Sequence, residues 1–170
     1  MLHRVILTGT VVALFVGVAS SAVAQGQGQA KQMKRSEQMT ATSVADVKWS
    51  ELKVPGFDPG AQMAVMDGNP GAPGGVYTLR LKFPAGYRFP AHWHPKSEHL
   101  TVLTGSFQLG MGTSEDRSME KTYGPGDFIM MPARHPHYGG SSAETIVQLH
   151  GVGPFQIMLS KKAEKTKANN

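Results

Sequence analysis

From Val76 to Phe83 the chain alternates strictly, with Tyr77, Leu79, Leu81 and Phe83 on one side and Thr78, Arg80 and Lys82 on the other. A two-residue period buries one face of a strand and leaves the other wet, and no helix reproduces it. Shorter segments of the same kind follow at 88–94, 98–104, 107–111, 127–131, 145–150 and 155–159. Turn chemistry separates them at 84–86, 104–105, 124–126, 139–140 and 151–154, where glycine and proline cluster. The 170 residues include 20 glycines and 11 prolines, a share above average usage, and after residue 44 no stretch sustains a helical period for three turns. The expectation is an all-β fold of short antiparallel strands, closed as a sandwich or small barrel, with a helix bundle or coiled coil excluded.

The ends of the chain differ from its middle. A basic start (Met1 to Arg4), an apolar run from Val5 to Val18 and the small residues of Ala22-Val23-Ala24 read as an export signal over 1–24, cut after Ala24. As a helix the apolar run would rise roughly 21 Å, short of a hydrocarbon core of roughly 30 Å, so no stable membrane insertion is expected after cleavage. The expected location is periplasmic or secreted. Residues 25–43 are polar and Gln-rich and read as a disordered linker, residues 44–160 as the single domain, and 161–170 as a basic flexible tail. The formal net charge of +5 belongs to those ends, because between Val44 and Ser160 nine Lys and Arg face ten Asp and Glu. A nucleic-acid partner is therefore not expected.

There is no cysteine, which excludes disulfides, thiolate metal ligation and a cysteine nucleophile. Chemistry falls to the histidines, and six of the seven lie between positions 92 and 150. His92 and His94 are spaced i, i+2, as are His135 and His137. On a strand that spacing puts both side chains of a pair on one face, roughly 6.5–7 Å apart, so two imidazoles can converge on one ion. Glu98 follows His94 across a Pro95-Lys96-Ser97 break that can bring a carboxylate to the same place. His99 beside it has the opposite parity. His135 and His137 share parity, so strand geometry alone leaves both open as ligands.

The stretch Gly86-Tyr-Arg-Phe-Pro-Ala-His92-Trp-His94-Pro-Lys-Ser-Glu98-His-Leu-Thr-Val-Leu-Thr-Gly105 resembles the first cupin motif at every anchor. Gly126-Asp-Phe-Ile-Met-Met-Pro132-Ala-Arg-His-Pro-His137 resembles the second, with Arg134 where the family usually has Gly and Ser141 where it often has Asn. The resemblance, to a single-domain cupin of the RmlC-like type, covers residues 44–160. It implies an antiparallel jelly-roll β-barrel holding one divalent metal on His92, His94, Glu98 and His137. Three imidazoles and a carboxylate suit Mn, Fe, Zn, Cu or Ni and leave about two positions of an octahedral shell open. Folding outside the cytoplasm favours Zn or Cu by intrinsic affinity, whereas the resemblance leans to Mn or Fe, so the metal's identity stays open.

Other residues carry simpler expectations. Arg88 shares strand parity with His92 and belongs either at the barrel mouth, offering a cation to an anionic substrate, or on the surface. His135 is a pocket or rim residue and, with Glu98, a candidate for moving protons. His150 is a hydrogen-bonded interior or surface residue, and Asp127 fixes a turn. Leu100, Val102, Phe107, Met111, Phe128 and Met130 read as core and cavity lining. Trp93 and the early strand around Lys48 to Lys53 are candidates for pairing across a two-fold axis, hence a homodimer. The expected function is a metal-dependent enzyme on a small-molecule substrate, of dioxygenase type first and isomerase or lyase type next. The alternative is a non-enzymatic exported module that binds a small ligand or a metal.

Overall fold

Strands with one apolar face must close those faces on each other, and here two antiparallel sheets do so. The protein is described by a computed structural model over residues 39–160. The segments read as an export signal over 1–24, as a linker up to residue 38 and as a basic tail over 161–170 lie outside the described residues. Strands β1 (Ser50–Glu51), β2 (Gln62–Gly68), β3 (Val76–Phe83), β5 (Glu98–Thr104), β8 (Phe128–Met131) and β10 (Thr145–Val152) form one sheet in the order β1-β2-β3-β10-β5-β8. Strands β4 (Arg88–Trp93), β6 (Phe107–Met111), β7 (Lys121–Tyr123), β9 (His137–Ser141) and β11 (Met158–Leu159) form the other in the order β11-β4-β9-β6-β7. The only helical pieces among the described residues are two short 3-10 turns, Val44–Asp46 and Arg117–Met119. This is the jelly-roll barrel expected.

The alternation read in β3 is also its burial pattern, with Tyr77, Leu79, Leu81 and Phe83 buried and the residues between them partly exposed. Its neighbour β10 contributes Val147 and Leu149 to the same interior, opposite Leu81 and Leu79. From the second sheet, Phe89 and Phe107 meet Phe83 at ring separations of 5.9 and 6.1 Å. Each such side chain contributes roughly 1.5–3 kcal/mol by leaving water.

Three expectations need correction. Gly139-Gly140, read as a turn, is the middle of β9. Its glycines serve close approach rather than turning, since a Cβ on Gly139 would run into the Gln108 carbonyl and come within 2.9 Å of the Phe89 ring. Phe128 and Met130, read as lining, are 61% and 51% exposed, and Met111 is 52% exposed. Glu98 is the cross-strand partner of Met131, so an inward Glu98 brings Met131 inward and sends Met130 and Phe128 out. Finally, β11 starts at Met158 rather than Phe155, which leaves residues 155–157 free to cross the barrel's open end.

The early segment forms β1, an edge strand paired with β2 through Ser50 and Met63, and Trp93 lies half-buried opposite Met158 of β11. Asp127 does fix a turn, accepting the Gly124 N–H at 2.8 Å.

The loop into β9 explains the family's preference for glycine at position 134. Arg134 has φ +63°, in the left-handed region, and its N–H donates to the His94 carbonyl at 2.8 Å. A side chain there costs roughly 1–2 kcal/mol, partly offset because glycine loses more entropy on folding. Arg134→Gly is expected to stabilise the protein by about 1 kcal/mol or less, a rise of a few degrees in Tm by calorimetry. A lower Tm would mean that the arginine side chain makes contacts worth more than the strain.

Candidate metal centre

Parity alone would turn His92 away from the barrel, because Phe89 points inward and lies an odd number of residues before it. The pairing of β4 with β9 shifts register between Phe89 and His92, and this bulge brings Phe89 and His92 to the same side. His92 then sits directly across from His137, the two rings 4.3 Å apart, and His94 completes a group with ring separations of 5.0 Å to His92 and 5.2 Å to His137. One ring nitrogen from each of the three lies within 4.8 Å of the others, and all three residues are buried.

The other nitrogens are engaged. His92 Nδ1 lies 2.8 Å from the Pro90 carbonyl, His94 Nδ1 2.8 Å from the Gln156 carbonyl, and His137 Nδ1 3.1 Å from the His135 carbonyl. A carbonyl only accepts, so each Nδ1 carries the proton and each Nε2 keeps a lone pair. Burial is the main force holding these rings neutral: it lowers the pKa of His94 to about 4 and that of His92 further, with the facing His137 adding to both. His137 is lowered in the same way, its hydrogen bond to the His135 carbonyl opposing the shift.

Glu98 enters from β5 with 3% of its surface exposed, while His99 faces outward. One oxygen, Oε2, lies 3.1 Å from His94 Nε2; the other, Oε1, is buried without a hydrogen-bond partner. Burial raises its pKa to about 8. In the metal-free protein at neutral pH Glu98 therefore carries its proton and donates it to His94 Nε2. An orphaned carboxyl oxygen beside three aligned lone pairs is a fit for a divalent cation, whose charge would offset the penalty of roughly 1–3 kcal/mol for an unsatisfied buried acceptor.

The walls are hydrocarbon. The cavity, of about 40 Å³, is lined by His92, His94, Glu98 and His137 together with leucine, valine, methionine, isoleucine and phenylalanine side chains. Phe155 stacks on His94 at 5.6 Å, and Phe57 meets His92 edge-on at 5.2 Å.

The remaining candidates lie elsewhere. His135 is exposed, bonds the Ala133 carbonyl through Nδ1 and does not line the cavity, so it has no position from which to serve there. Arg88 takes the surface alternative: the bulge leaves it on the outside of β4, where its guanidinium holds both oxygens of Glu120. His150 is exposed and bonded to Thr78. Sequence reasoning did not identify Phe57, Phe155 or the Gln156 carbonyl. Phe155 and Gln156 lay inside a segment read as a strand, and Phe57 had no neighbouring periodicity to mark it.

A model of the ChrR cupin-like domain family matches residues 37–156. The dimethylsulfoniopropionate lyase DddQ of Ruegeria pomeroyi is 32% identical over 71 residues, covering 42% of this chain, and the chain spans only 33% of that curated relative's length. Among solved structures, the polyketide cyclase RemF from Streptomyces resistomycificus superimposes with a TM-score of 0.61 at 21% identity, covering 75% of this chain and 89% of that one. A candidate acetylacetone dioxygenase from Methylibium petroleiphilum gives a TM-score of 0.56 at 15% identity, over 73% and 82% of the two chains. At such identities the structural likeness speaks for the fold.

The opposed shifts make a pH signature in metal-stripped protein. A histidine held below its ordinary 6.5 removes stability as pH falls below 6.5, because the unfolded chain then binds more protons. Glu98, raised from 4.5 to about 8, does the reverse: its contribution is complete below 4.5 and is lost as pH rises through 8. Thermal melts of the stripped protein are expected to peak near pH 6.5, and Glu98→Gln should flatten the decline between 6.5 and 8. A decline unchanged in Glu98→Gln would assign it to other groups.

Proposed function

The chain belongs to the ChrR cupin-like domain family, and on that premise we propose that it is a divalent-metal-dependent enzyme acting on a small organic substrate, of dioxygenase type. The observation that carries the reading is the convergence of three imidazoles and one carboxyl group in one buried, apolar cavity. His92, His94 and His137 would hold the ion through Nε2, with Glu98 as the fourth ligand. Bound there, a divalent ion would act as a Lewis acid or, if redox-active, activate dioxygen.

The chain's own residues supply the rest. The Pro90, Gln156 and His135 carbonyls orient the imidazoles and fix their tautomer, an outer hydrogen-bond layer that typically changes metal affinity 10–100-fold. The phenylalanine and leucine walls exclude water. Glu98 Oε1, which has no hydrogen-bond partner, would be the acceptor available to take a proton from substrate and return it. A candidate acetylacetone dioxygenase on the same fold supports the oxygen-dependent version. The partial match to a dimethylsulfoniopropionate lyase favours lyase or isomerase chemistry as the second version.

Purified protein is expected to hold one divalent ion per chain. His92→Ala or His137→Ala should lower affinity roughly a hundredfold or more, since loss of a ligand exceeds loss of its outer partner. Turnover should be lost in parallel. Metal uptake at pH 7 should release about one proton, from Glu98, and the release should fade above pH 8; calorimetry in buffers of different ionisation enthalpy reads this directly. Dioxygen consumption with catechols or diketones separates the two versions. Stoichiometric ligand binding without turnover would replace both with a binding module, and full turnover in metal-free protein would exclude the metal mechanism.

A further inference from the structure

The cavity holds four polar side chains, and all four belong to the metal centre; every other lining group is apolar: aliphatic, aromatic or, at Met131, a thioether. Phe83, Phe89 and Phe107 form a continuous aryl wall, with neighbouring rings 5.7–6.1 Å apart. The rim continues the pattern with Leu52, Phe57, Phe155 and Ile157. The cationic side chains nearest in sequence to the ligands are turned away: Arg88 is paired with Glu120 outside the sheet, and Arg134 and His135 are exposed and absent from the lining. A charge brought into this space would find no partner beyond the centre itself, and an unpaired buried charge costs several kcal/mol.

Resting on the metal reading above, we propose that the substrate is a neutral molecule that meets the centre through oxygen donors at one end and is apolar elsewhere. Molecules carrying a carboxylate, phosphate or sulfonate away from the chelating end are rejected.

The test uses the full chain loaded with cobalt(II), whose visible absorption reports ligands entering its coordination sphere without any turnover. Catechol and 3,4-dihydroxybenzoate present the same chelating oxygens and differ by one remote carboxylate. Catechol is expected to bind at least ten times more tightly. Ile157→Arg puts a cation on the half-buried rim; it should take up cobalt normally and narrow or reverse the preference, while Ile157→Leu should retain it. Equal or tighter binding of 3,4-dihydroxybenzoate by the unsubstituted chain overturns the inference and leaves the metal reading standing. Failure to take up cobalt overturns both.

Discussion

Each of the three clustered imidazoles gives its Nδ1 proton to a backbone carbonyl, and the chemistry of the interior follows from that. Two of the carbonyls are local. His92 bonds Pro90 and His137 bonds His135, two residues back in each case, so the same local ring-to-carbonyl bond is built into both stretches. The third comes from Gln156, which reaches His94 from the segment crossing the open end of the barrel. The cluster therefore depends on the end of the domain as well as on its two histidine-bearing stretches. Each neutral hydrogen bond is worth only about 1 kcal/mol to stability. Its larger effect is to remove the alternative tautomer, which would point an N–H where a lone pair is needed.

The apolar surroundings give these groups their second property. Desolvation lowers the histidines and raises Glu98, so the metal-free interior is neutral at physiological pH, with one proton shared along Glu98 and His94. Such a cavity folds without burying a charge. It also leaves Glu98 Oε1 without a partner, a defect that only something entering the cavity can repair. Neutrality in the absence of metal and readiness to bind one are thus consequences of the same burial.

Much of this was legible in the sequence, and the illegible parts share a cause. The β3 alternation and the spacing of His92, His94 and Glu98 are local patterns, and local geometry preserves them. What failed depended on the partner strand. The glycines of β9 look like a turn until Phe89 and the Gln108 carbonyl are seen pressing against Gly139. Met130 and Phe128 look like core until β8 is set in register with β5, where the inward Glu98 dictates which methionine follows it. Phe57 and Phe155 reach the histidines from segments whose apolar residues show no period tied to the site.

Arg88 shows how one extra residue redistributes roles. Counting by twos from His92 puts Arg88 inside the barrel, but the bulge between Phe89 and His92 reverses the count, so the histidines turn in and the arginine turns out. A bulge frees an amide from the ladder, and the Ala91 N–H is met by Glu115 Oε1 at 3.0 Å. Glu115 itself has φ +51° and belongs to a strap laid over the outer face of the sheet. That strap is fastened where the Tyr138 hydroxyl donates to the Asp116 carbonyl at 2.8 Å and where Arg88 grips Glu120. The cation that parity assigned to substrate instead fixes the layer whose carboxylate satisfies the bulge. The strap outside the sheet thus reaches β4 at the Ala91 amide beside His92 and β9 at Tyr138 beside His137, so both ligand-bearing strands are held from the outer side as well as from within.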